Sequence, residues 1–105
     1  MRFEFIELES FAAIRDDLFS DDAFLELQLH LASQPDAGAV IPGTGGCRKL
    51  RWAARGKGRR GGSRVIYFIQ LLPGRIVFVT AYSKGELEDI PREWLRRIKE
   101  AFSHE

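Results

Sequence analysis

Polar and apolar residues alternate in some stretches of this chain and recur at helical spacing in others. Residues 2–8 set Phe3 and Phe5 on either side of Glu4, which predicts a first strand. Ser10 then stands as an N-cap for a short helix with Phe11, Ile14 and Leu18 along one face. Ser20, Asp21 and Asp22 offer a second cap, and Phe24, Leu27 and Leu31 repeat at i, i+3 and i+7 toward Ser33. Gln34-Pro35 stops that helix. Residues 35–47 are rich in Pro and Gly and read as a connection.

Three more strands are predicted. Arg48 to Ala53 alternates Leu50 and Trp52 with Lys49 and Arg51, and both Ser63 to Leu71 and Arg75 to Tyr82 are rich in β-branched and aromatic residues. Pro73-Gly74 between the last two is a turn signal, so they form an antiparallel hairpin. Arg64 at the start of one strand then lies beside Tyr82 at the end of the other, with Lys84 two residues further on. A final helix begins near Pro91 and carries Leu95, Ile98 and Phe102 on its buried side. The order β-α-α-β-β-β-α predicts one α+β domain over residues 1–105. Its architecture is a small antiparallel sheet flanked by helices, with the helices packed on one face.

At 105 residues the chain has room for a single core, and its 45% hydrophobic and 30% charged content is that of a soluble domain. No apolar run approaches the ~20 residues of a membrane span. The first residues lack the apolar stretch of a signal peptide. Cys47, the one cysteine, cannot form an internal disulfide, so a cytoplasmic setting is expected.

Charge changes the picture most. Sixteen Lys and Arg nearly balance fifteen Asp and Glu, yet residues 37–85 hold ten basic side chains and no acidic one. Eight of the ten fall within 48–64: Arg48, Lys49, Arg51, Arg55, Lys57, Arg59, Arg60 and Arg64. Such segregation is self-repulsive, and it points to a phosphate or nucleic-acid partner rather than to solubility alone.

Several familiar chemistries are absent. Gly56-Lys57-Gly58-Arg59-Arg60-Gly61 has the letters of a dinucleotide fingerprint, but a strand follows it where that motif needs a helix. Gly38 and Gly43 have the spacing of a phosphate-binding loop, with Thr44 where its lysine should be. His30, His104 and Cys47 share no metal-ligand spacing, and no nucleophile–base set is visible. Neither metal nor cofactor is expected. Glu86, Glu88 and Asp89 read as helix-entry carboxylates, and Trp52 and Trp94 as packing residues, Trp94 in the core or an interface.

A basic site free of carboxylates suits two tasks: holding a nucleic-acid backbone, or cleaving RNA by attack of its own 2′-hydroxyl. The second needs the chain aligned, the 2′ proton accepted and the charge on the phosphorane neutralised. Arginine, always charged and forked, suits the last role. A lysine of ordinary pKa ~10.4 is neutral in about one molecule per few thousand at pH 7. Neighbouring cations lower that pKa, so Lys57 and Lys84 are both candidates for the base.

Ile41-Pro42-Gly43-Thr44-Gly45-Gly46-Cys47-Arg48-Lys49-Leu50-Arg51-Trp52, followed by Gly58 to Gly62, Arg64-Val65-Ile66-Tyr67 and Tyr82-Ser83-Lys84, resembles the RelE/HigB branch of the RelE/ParE toxin superfamily. The resemblance runs from the first strand to the last helix. It implies the toxin of a type II toxin–antitoxin pair, a metal-independent ribonuclease that cuts messenger RNA on the ribosome. The implied partners are the ribosome, messenger RNA and a cognate antitoxin with a DNA-binding helix-turn-helix, with no membrane. By the same resemblance Arg64 is the phosphate-stabilising arginine. Lys57, Arg59 and Arg60 form the RNA-gripping loop that also serves proton transfer. Tyr82 and Lys84 form the Tyr-x-Lys signature. The expected catalytic set is thus Lys57, Arg60, Arg64, Tyr82 and Lys84, with Arg48, Lys49, Arg51, Arg55 and Arg59 binding RNA.

The chain departs from the pattern in one place: Gly85 follows Lys84 where some relatives carry Arg, and no tyrosine occurs beyond Tyr82. The general base is left open between the two lysines. Two other readings remain, a non-enzymatic ParE-like inhibitor of DNA gyrase and an inactive RNA-binding relative.

Overall fold

The computed structural model describes residues 2–53, 62–83, 85 and 90–103. Among these, β1 (Glu4–Glu7) leads into α1 (Glu9–Leu18) and α2 (Asp21–Ser33). A meander of β2 (Ala39–Val40), β3 (Arg48–Trp52), β4 (Ser63–Gln70) and β5 (Arg75–Ser83) follows, and α3 (Arg92–Ser103) ends it. The predicted order holds, with one strand added. The short β2 lies inside the expected 35–47 connection and pairs with β3 through Ala39↔Lys49 and Val40↔Arg48.

The sheet runs β1-β5-β4-β3-β2. It is mixed rather than purely antiparallel, because β1 and β5 are parallel, from Glu4↔Arg75 to Glu7↔Phe78. Helices α1 and α2 carry the chain across one face to the far edge. The meander then returns, and β5 arrives beside β1 already pointing the same way.

The helices do not share one face, which corrects a second expectation. α1 and α2 bury Phe11, Phe24, Leu27 and Leu31 against Val65, Tyr67, Ile76 and Phe78. On the other side Leu95, with Ile98 and Phe102, packs on Ile66, Phe68, Val77 and Val79. The cause is visible in β4, where Val65, Ile66, Tyr67 and Phe68 are all buried. A strand apolar on both sides leaves neither face for water.

One irregularity positions the functional residues. Ile66 pairs with Thr80 and Tyr67 with Phe78, so β5 carries one extra residue, Val79, at a β-bulge. Strict alternation from Ile76 and Phe78 would send Tyr82 to the α1/α2 face. The extra residue reverses the parity, and Tyr82 joins the α3-side cluster instead.

Local polar bonds fix the corners. Ser20 caps α2 as expected, its hydroxyl accepting from the Ala23 N–H at 3.1 Å. Ser10 is not the cap of α1, whose N-cap position is Leu8. Its hydroxyl instead donates to the Val79 carbonyl at 2.5 Å. The Tyr67 hydroxyl donates to the Pro35 carbonyl at 2.7 Å and accepts from the Gly38 N–H at 2.8 Å, pinning the connection that precedes β2.

Candidate functional site

Arg51, Arg64 and Tyr82 stand in one row across three neighbouring strands. Arg51 is the partner of Arg64 across β3 and β4, and Arg64 is the partner of Tyr82 across β4 and β5. Directly paired residues point to the same face with Cβ atoms about 5 Å apart, and this face is the one α3 partly covers. Lys49 opposes Ile66 in the next row on the same side. Arginines paired across two strands can hold one phosphate between them.

Beside the row, a groove of about 230 Å³ opens between the sheet and the start of α3. Ile41, Ile66, Ile90, Pro91 and Leu95 supply apolar walls, and Lys49, Tyr82 and Arg92 the polar ones. Among the described residues lining it, none is acidic. Tyr82 is 8% exposed, its ring packed with Ile66 and Leu95, so its position is set by the core.

The wall formed by residues 41–47 is itself tied down. The Ile41 N–H donates to the Cys47 carbonyl at 2.8 Å. Thr44, fully buried, donates from its hydroxyl to the Ile41 carbonyl at 2.7 Å and accepts from the Cys47 N–H at 3.0 Å. A Cβ on Gly46 would come within 3.1 Å of the Lys99 side chain, at a φ of +122° that disfavours other residues. Gly38 answers to a different neighbour: a Cβ there would lie 2.9 Å from the Tyr67 ring, so its spacing from Gly43 reflects packing and turn geometry rather than a phosphate loop. Beneath it Cys47 is buried, and desolvation raises its pKa above the ordinary 9.0.

Gly62 closes the other end of the row. Its φ is +65°, and a Cβ there would lie 2.6 Å from the Trp52 carbonyl, so only glycine lets β4 start this close to β3. The segment joining Ala53 to Gly62 carries Arg55, Lys57, Arg59 and Arg60, and these four lie outside the described residues. So do Lys84, His104 and the carboxylates Glu86, Glu88 and Asp89.

The expected residues that are described fall into two groups. Lys49, Arg51, Arg64 and Tyr82 share the α3 face. Arg48 is set apart on the opposite face beside Tyr67, where its Nη1 donates to the carbonyls of Gly38 at 2.7 Å and Asp36 at 3.2 Å. Trp52 is a packing residue, its indole N–H reaching the Ala23 carbonyl at 3.3 Å and its ring lying 5.2 Å from that of His30. Trp94 is 39% exposed, not core. Arg92 was not among the expected residues. The only signal for it is its place just after Pro91, at the start of a helix whose docking face the sequence does not reveal.

The fold and this row define the class: an α+β domain with a basic row along one end of a mixed sheet. No protein-family model matches the sequence. In three dimensions the chain is similar to the E. coli toxin RelE, solved in its free state as a mutant with two arginines replaced by alanine. The match has a TM-score of 0.62 over 94% of this chain and 98% of that one, at 14% identity. The chain thus has a RelE-type toxin fold. Among the described residues, no helix is long and apolar enough to cross a membrane.

Proposed function

We propose that this protein is the toxin of a type II toxin–antitoxin pair and acts as an endoribonuclease that cuts messenger RNA on the ribosome. The observation that carries the reading is the Arg51–Arg64–Tyr82 row on the half-covered face of a RelE-type fold. The RNA backbone lies across that row. Its 2′-oxygen attacks the adjacent phosphorus, the bond to the 5′-oxygen breaks, that oxygen takes a proton from solvent, and a cyclic phosphate and a 5′-hydroxyl result. Arg64 neutralises the charge gathered on the phosphorane, where a preorganised cation acts most strongly. Arg51 and Lys49 hold flanking phosphates, and Lys57 or Lys84 accepts the 2′ proton. The nucleophile belongs to the substrate, so the proposed reaction needs no metal or cofactor. A cognate antitoxin, with a helix-turn-helix for DNA, inhibits by covering the row.

The test is 5′-end mapping of cellular RNA shortly after induction, with Arg64→Ala alongside. New ends inside translated codons for the wild type, absent from the variant, are expected. Growth arrest without new ends would favour the gyrase-inhibiting alternative. Neither arrest nor cleavage would leave an inactive RNA-binding relative.

A further inference from the structure

We infer that Ser10 is a positioning residue for this site: its hydroxyl holds the β5 bulge that turns Tyr82 toward Arg64. The inference rests on the ribonuclease reading for what Arg64 and Tyr82 do, but not for where they lie. Between Phe78, opposite Tyr67, and Tyr82, opposite Arg64, β5 contains one residue more than β4 can match. A straight strand in the upstream register would set Val79 against Ile66, Thr80 against Val65 and Ala81 against Arg64. Tyr82 would then face α1 and α2.

The bulged strand needs support at its unpaired residue. Val79 is fully buried, and a buried carbonyl outside the ladder requires a donor. Ser10 supplies one from 69 positions away in sequence. The preceding corner residue, Leu8, donates its N–H to the Phe78 carbonyl at 3.0 Å. The β1–α1 corner therefore binds two successive carbonyls where the parity reverses. Ser10 does not cap its own helix, so this bond is the role its hydroxyl is seen to fill.

The chain has two tyrosines, Tyr67 and Tyr82, so 3-fluorotyrosine labelling gives one signal at the site and one in the opposite core. Ser10→Ala is expected to shift or split the Tyr82 fluorine resonance while Tyr67 keeps its own. Cleavage on translating ribosomes should fall about 10- to 100-fold, the usual result of small misplacement at a site. Ser10→Thr, which keeps the hydroxyl, should restore both. Deleting Val79 should straighten β5 with Arg64 still opposite Tyr82, so Ser10→Ala on that background should change neither reading. An unmoved Tyr82 resonance in a folded Ser10→Ala protein overturns the inference. If Ser10→Ala alone does not fold, the deletion background decides: tolerance there supports the bulge role, and equal damage overturns it. A shifted Tyr82 resonance in a protein whose wild type cuts no RNA would support the positioning and remove the ribonuclease reading instead.

Discussion

On one side of the sheet, α1 and α2 close over a layer of aromatic rings, with Phe78 stacked 4.9 Å from Phe11 and 5.9 Å from Phe5. On the other side α3 packs a smaller cluster around Leu95, and Lys49, Arg51 and Arg64 share the face of that cluster. Both layers share β4 and β5. The sealed side makes these strands rigid, and the half-covered side uses that rigidity to hold like charges at fixed spacing.

The sharpest way to break this division is Phe78→Ala. It empties the centre of the sealed layer and should cost about 3–5 kcal/mol, read as a lowered denaturant midpoint. Arg64→Ala should do the reverse. Cleavage falls about 10²–10³-fold, measured on translating ribosomes, while the midpoint stays put. If both readouts moved together in either variant, the two sides would not be separable.

Tyr67→Phe tests the sealed side more finely. It leaves the Gly38 N–H without its acceptor at a buried site and should cost about 1–3 kcal/mol. Burial raises the pKa of Tyr67 above 10.0, so its folded environment favours the neutral phenol. That contribution is intact below pH 10 and is lost as pH rises through the raised value. Tyr67→Phe should therefore flatten the alkaline limb of the stability curve. Arg96→Ala should have the smallest effect. Its bonds to Glu93 at 2.6 Å and Glu100 at 2.7 Å are on the outer face of α3, where water competes, and no change in the midpoint is expected.

Most of the architecture was legible because periodicity reports local structure. Phe24, Leu27 and Leu31 did mark the buried side of α2, and Leu95, Ile98 and Phe102 that of α3. The hairpin signal at Pro73-Gly74 brought Arg64 and Tyr82 to the same end of the strand pair, and the bulge at Val79, which carries no mark in the sequence, set them directly opposite. What escaped depends on partners distant in sequence. Two residues, Ala39 and Val40, are too few to show alternation. The parallel pairing of β1 leaves no mark on Phe3 or Phe5. An amphipathic α3 does not say which side of a sheet it will cover, although the unbroken apolar run in β4 implies that both sides are covered. Ser10 has the residue type of a cap, and only the fold reveals that its hydroxyl serves Val79. Arg48 looks like its basic neighbours until strand parity turns it away from them.

Cys47 gives the molecule a clock. Its sulfur is shut between the 41–47 segment and α3, 3.8 Å from the Leu95 carbonyl, and the chain has no other thiol. A thiol reagent can reach it only in the moments when α3 and the 41–47 segment part. The pace of labelling in the native protein therefore counts how often the groove loses its roof. A partner that clamps the helix down would slow that count, and one that takes the helix's place would quicken it. Inhibition by covering and inhibition by displacement become distinguishable with a single chemical modification.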